Sequence, residues 1–181
     1  MRLRDTHSHQ VSQNRSSQAV LQQEARGSLI VLTHLRGRKE RAINMPASLC
    51  GTWDIISNVN FEGYMIALGI GPHIRKIAVK LKLRKVVEQH GDQFVIKTLS
   101  TFRNYSVSFR VDQEFEEFTQ GLDSKHVKSL VSWKENKLVC EQIGEKKNRG
   151  WTHWIEDDKL HLELYCEGQL CTQVFKKNVS E

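Results

Sequence analysis

The chain has 181 residues, 39% hydrophobic and 27% charged, with two prolines and eleven glycines, which suits one globular domain plus a tail and excludes a collagen, a coiled-coil rod or a multidomain enzyme. No apolar run approaches the ~18 residues a membrane-spanning helix needs. The net charge of +6 suggests nucleic acid, yet residues 1–44 carry eight Lys/Arg against three acids, leaving only +1 for residues 45–181; too few clustered cations remain to hold a phosphate backbone, and no nucleic-acid partner is expected.

Residues 1–44 are rich in Gln, Ser, Arg and His and read as a disordered basic extension. Their one apolar stretch, Leu29-Ile30-Val31-Leu32, is too short, and too soon followed by Arg36-Gly37-Arg38-Lys39, for a secretory signal. The Ser- and Arg-rich, acid-poor composition also fits a mitochondrial transit peptide. Met45-Pro46 stands where organised sequence begins, so Met45 is an alternative start of translation, and the folded domain is taken as residues 45–181.

From Cys50 onward, turn signals recur every eight to twelve residues, the pattern of an antiparallel barrel or sandwich. Strands are expected near 51–57, 84–90, 93–99, 104–111, 115–119, 126–133, 137–142, 148–155, 159–165 and 170–176. The exception is 60–81, where Phe61, Tyr64, Met65 and Leu68, then Ile74, Ile77, Ala78 and Leu81, fall at helical spacing on either side of Gly69-Ile70-Gly71-Pro72. Pro72 suits a first helical position, where an amide hydrogen would have no intrahelical partner. Ten strands with a helical hairpin after the first predict an all-β fold, a small closed up-and-down barrel under a two-helix cap, able to hold a ligand.

Alternation along 148–155 puts Arg149, Trp151 and His153 on one face. Leu160, Leu162 and Leu164 share a face of the next strand, as do Cys171, Gln173 and Phe175 of the last. Apolar residues interrupted by Arg, His and Gln make a poor dry core and a good binding cavity. Spacing alone leaves each polar residue open: His153 also fits a hydrogen-bonded core histidine, Gln173 an outer face if the register slips by one, and Lys85 a solvated charge. Arg149 is a candidate to receive an acid or to pair with a strand-end carboxylate. Cys50, Cys140, Cys166 and Cys171 follow no cleavable signal and show no zinc spacing, so reduced thiols, no metal and no cofactor are expected. The interior offers no acid to orient His153, and no enzymatic activity is expected.

Gly51-Thr52-Trp53, Asn60-Phe61-Glu62-Gly63-Tyr64-Met65, Arg75-Lys76-Ile77-Ala78, Thr98-Leu99-Ser100-Thr101-Phe102-Arg103-Asn104-Tyr105, Gly144 to Trp154 and Gln173-Val174-Phe175-Lys176-Lys177 together resemble the cellular retinol-binding proteins of the intracellular lipid-binding (fatty-acid-binding) family. The resemblance runs from Met45 to about Lys177. It implies ten antiparallel strands in a flattened, lipocalin-like barrel, two lid helices and one hydrophobic ligand, all-trans-retinol (vitamin A) or retinal. It places Phe61, Tyr64, Ile74, Ala78 and Phe102 around the portal and polyene, Thr98, Val107, Leu122, Trp151 and Leu164 along the interior, and Lys85, His153 and Gln173 as the polar groups. A cytoplasmic, monomeric carrier follows, in transient contact with membranes and retinoid-metabolising enzymes.

Two departures stand out. His153 occupies a position where many retinol binders have Gln, and Leu83 one where the family commonly has proline, which implies a looser link from lid to barrel. Relatives that take acids resemble one another in an Arg-x-Tyr pair in the last strand, where this chain has Gln173-Val174-Phe175. A carboxylate buried in a barrel needs a cation, best a guanidinium fork, whereas a hydroxyl needs only neutral partners. The resemblance therefore implies an alcohol, with a fatty-acid or other lipid carrier of the same fold as the alternative.

Overall fold

A computed structural model describes residues 46–179. The expectations for residues 1–44 and for Met45 lie outside the described residues. The strands are β1 (Gly51–Val59), β2 (Arg84–His90), β3 (Gln93–Leu99), β4 (Tyr105–Arg110), β5 (Phe115–Phe118), β6 (His126–Lys134), β7 (Lys137–Ile143), β8 (Arg149–Glu156), β9 (Lys159–Cys166) and β10 (Gln169–Lys177). Two helices, α1 (Phe61–Ala67) and α2 (Pro72–Ala78), lie between β1 and β2. Every expected strand is present, none displaced at either end by more than two residues.

Consecutive strands pair antiparallel except β4 and β5, and β1 also pairs with β10, so the sheet curls into an up-and-down barrel. The ring of backbone hydrogen bonds is not complete, which corrects the closed barrel expected from sequence: β4 and β5 are the two ends of the sheet order. The connection between them sends its amides elsewhere, Val111 N to Asp92 O at 2.9 Å and Asp112 N to Val131 O at 2.8 Å. Side chains bridge the opening instead, with Tyr105 of β4 donating its hydroxyl to the Glu117 carboxylate of β5.

Local chemistry fixes the rest. At the β9–β10 turn Glu167 and Gly168 take φ of 50° and 80°, the left-handed pair that lets a two-residue turn follow the strand twist. A side chain at Gly150 is impossible without displacement, since its Cβ would lie 2.1 Å from Cys140 O. Tyr165 covers this glycine and donates its hydroxyl to the same carbonyl at 3.1 Å. In consequence β8 is buried on both faces over Arg149–His153, where alternation alone predicts one buried face.

Phe94, Val131, Leu138, Leu160 and Phe175 are fully buried in the main core, each worth ~1.5–3 kcal/mol relative to exposure. A second cluster joins Tyr64 of α1 and Leu68 at its C-cap to Cys166 and Cys171, seating α1 on the β9–β10 hairpin. Helix α2 has no comparable footing on any strand. It is tied instead to the α1 side of the hairpin by Arg75, whose Nη1 donates to Ile70 O at 2.6 Å and whose Nε lies 3.5 Å from Glu62. Leu83, in the link from lid to barrel, is buried in the core, and its carbonyl accepts from Ile55 N at 3.0 Å.

Candidate functional site

Beneath the lid lies a cavity of about 1050 Å³ of atom-free space, counting its mouth. All thirteen residues singled out from the sequence line it. Phe61 and Tyr64 enter from α1, with ring centroids 6.4 Å apart, Ile74 and Ala78 from α2, and exposed Phe102 from the loop after β3. Thr98, Val107, Trp151 and Leu164 come from β3, β4, β8 and β9, and Leu122 from the turn between β5 and β6.

Register explains why the three polar residues meet. His153 pairs with Leu162, and Leu162 with Gln173, which sets the imidazole and the amide at one level across β8, β9 and β10. Lys85 approaches from β2, its Nζ 5.8 Å from the ring centre of Phe175, the next inward residue after Gln173. Lys85, His153 and Gln173 are 5%, 3% and 2% exposed, which settles the register question in favour of the inward face.

Their hydrogen bonding differs. Lys85 Nζ donates to Thr98 Oγ1 at 2.9 Å, and burial lowers its pKa to about 8. Gln173 Nε2 donates to Asn58 Oδ1 at 3.1 Å. His153 has a partner at neither ring nitrogen. Burial first, and the nearby Lys85 charge second, hold its pKa well below 6.5, so the imidazole is neutral at pH 7. Its edge packs against Trp151, with centroids 4.7 Å apart.

Arg149 is inward, as alternation predicts, but it does not reach the cavity as a free cation. Its two terminal nitrogens each donate to Asp123 at 2.8 Å, both side chains being almost fully buried. Burial alone would lower its pKa, and the hydrogen bonds it donates to the Asp123 carboxylate more than offset this. The alternative of pairing with a carboxylate is thus the one realised. Arg103, which unlike Arg149 is among the lining residues, is exposed at the mouth, 5.1 Å from the Phe102 ring centre.

Sequence reasoning missed an interior acid. Glu117 is 7% exposed and accepts from Tyr105, from Ser129 Oγ at 2.7 Å and from Gln142 Nε2 at 3.1 Å. Tyr105 and Gln142 also line the cavity. The signal was ambiguous, since Phe115-Glu116-Glu117-Phe118 does not say which glutamate turns inward. Glu117 does not orient His153, whose two ring nitrogens have no hydrogen-bond partner among the described residues. The four cysteines are free thiols, and among the described residues no helix is long and apolar enough to cross a membrane.

A family described as "Lipocalin / cytosolic fatty-acid binding protein family" matches residues 50–178. Over 133 residues the chain is 59% identical to "Retinoid-binding protein 7" of Mus musculus, a match spanning 74% of this chain and 99% of that protein. The solved structure "Human cRBP IV" shares 59% identity with a TM-score of 0.72, over 74% of this chain and 100% of its own. The "REP1-NXSQ fatty acid transporter" shares 31% identity with a TM-score of 0.69, over 74% and 98%. With barrel, lid and cavity in place and these likenesses spanning nearly the whole of each relative, the chain belongs to the lipocalin / cytosolic fatty-acid binding protein family.

Proposed function

We propose that this protein binds all-trans-retinol, with retinal as a secondary ligand, and carries it through the cytoplasm as a monomer between membranes and retinoid-metabolising enzymes. The observation that carries the reading is the buried, neutral His153 with both nitrogens unpartnered, facing a cavity whose nearest inward guanidinium is committed to Asp123. A hydroxyl satisfies such an imidazole in either direction, donating to one tautomer or accepting from the other. Lys85 adds a donor for the hydroxyl oxygen. The names of the relatives at 59% identity, a retinoid-binding protein and a cellular retinol-binding protein, support the same ligand class.

Delivery is read from the lid. Ile77 and Val79 are exposed beside Lys76, Lys80 and Lys82, a basic rim with apolar contacts suited to an anionic membrane surface.

A fatty-acid carrier is the second reading, favoured by the likeness to a fatty acid transporter and by Lys85, which remains largely protonated at pH 7 and offers a carboxylate one cation. Competition of retinol against oleate for the full chain separates them. Retinol is expected to displace oleate at stoichiometric amounts, and tighter binding of oleate would reverse the assignment.

A further inference from the structure

An amide lining a cavity presents either its carbonyl oxygen or its NH₂, and the two make opposite demands on a ligand. At Gln173 the choice is made by a residue outside the cavity lining. The bulge in β1 leaves Ile56 outside the ladder between Ile55, paired with Phe175, and Ser57, paired with Val174. The extra residue reverses the alternation of β1, so inward positions pass from Trp53 and Ile55 to Asn58, which pairs with Gln173. Asn58 Oδ1 accepts from Gln173 Nε2 at 3.1 Å and from Cys171 Sγ at 3.6 Å.

Two donors on the inner face of β10 thus converge on one oxygen. Turning the Gln173 amide over would set its carbonyl oxygen against Oδ1. Turning both amides over would set an NH₂ against the Cys171 thiol, which burial keeps protonated by pushing its pKa up to about 12. Neither alternative conserves both hydrogen bonds.

We infer that Asn58 is a positioning residue that fixes Gln173 with its carbonyl oxygen free for the cavity, so that the site requires a hydrogen-bond donor and favours an alcohol over the aldehyde of the same skeleton. This rests on the retinoid reading above and adds to it the sorting of oxidation state. A retinol hydroxyl donates to Gln173 Oε1 while its oxygen accepts from Lys85. A retinal carbonyl accepts from Lys85 but meets Oε1 with no proton between the two oxygens, leaving a buried acceptor unpaired.

The test titrates the full chain with all-trans-retinol and all-trans-retinal, for the wild type and for Asn58→Ala, Asn58→Asp and Gln173→Leu. Asn58 is an exposed residue three positions before the start of α1, so its exchanges leave the core untouched. The wild type is expected to prefer retinol by about tenfold, the scale on which a site built for one polar partner rejects an analogue lacking it, reduced here by Lys85 serving both ligands. Asn58→Ala frees the amide to turn and should raise retinal affinity several-fold with little change for retinol. Asn58→Asp keeps the acceptor and should keep the wild-type ratio, and Gln173→Leu should abolish the preference. A ratio unmoved in Asn58→Ala, or moved equally in Asn58→Asp, overturns the inference while leaving retinoid binding intact. If the wild type binds neither retinoid, the functional reading itself fails and the inference falls with it.

Discussion

His153 is neutral because an imidazolium at this depth would lose its hydration and face the Lys85 charge. Its pKa in the folded state lies below the ordinary value, so between the two the unfolded chain holds a proton that the native protein lacks. The stability this neutral form contributes is complete above about pH 6.5 and is lost as pH falls below it. Urea midpoints at pH 7.5 and 5 should fall less steeply for His153→Gln than for the wild type. In ligand choice, His153→Arg should weaken retinol and strengthen retinoic acid by roughly tens-fold, because the buried guanidinium is compensated by a carboxylate and not by a hydroxyl. His153→Gln should keep retinol, and titration of the three proteins with both ligands checks this; an Arg variant that stays folded with its preference unchanged would remove His153 from the head-group site. Lys85 works against the fold. Its pKa falls from 10.5 to about 8, so below pH 8 the native protein holds a buried ammonium at a cost of ~3 kcal/mol, relieved as pH rises from 8 towards 10.5. Lys85→Met should stabilise the ligand-free barrel at pH 7 by ~1–3 kcal/mol, seen in urea unfolding, and weaken retinol binding.

Between β5 and β6 the chain turns through Thr119–Ser124, and this turn carries Leu122 into the cavity wall. Thr119 Oγ1 donates to Asp123 at 2.6 Å, and Asp123 accepts the fork of Arg149 from the start of β8. Arg149→Met leaves a buried carboxylate unpaired and should cost ~3–5 kcal/mol, whereas Arg149→Met with Asp123→Leu should recover a large part of it. Denaturation of the single and double variants measures the difference. Elements were legible in the sequence because alternation, paired turn residues and the helical spacing of Phe61, Tyr64, Met65 and Leu68 are local signals. Alternation also put His153, Gln173 and Trp151 inward, while Lys85 became a site residue only through resemblance. Asn58 and Glu117 were hidden for physical reasons. A bulge changes which parity faces inward, and two adjacent glutamates carry no parity signal at all. The partner of Arg149 was equally hidden, because a contact between residues 26 apart depends on how strands are arranged around the barrel.

At the level of the whole molecule, 133 residues of this chain account for 99% of a relative's length, and the described fold begins its first strand at Gly51. A chain starting at Met45 is therefore expected to match the full chain in thermal midpoint and retinol affinity, checked by melting and titration side by side. Reversing Lys76 and Lys80 to Glu should slow ligand transfer from anionic vesicles and leave affinity in solution unchanged, because these charges lie on the lid rim and not among the cavity-lining residues. The opening between β4 and β5 bears on how such a barrel comes apart. A ring stitched all the way round can lose a strand only by breaking two ladders together, but a ring interrupted once has free ends, and the four-residue β5 is held by a single ladder to β6. Peeling should begin there. Deuterium should enter the β5 and β6 amides through a partial opening well short of global unfolding, and Glu117→Leu, which removes the side-chain rivet to Tyr105, should quicken that exchange more than it quickens exchange in β1 or β10. The barrel is in this sense a zipped sleeve, with its seam placed beside the turn that carries Leu122 into the cavity wall.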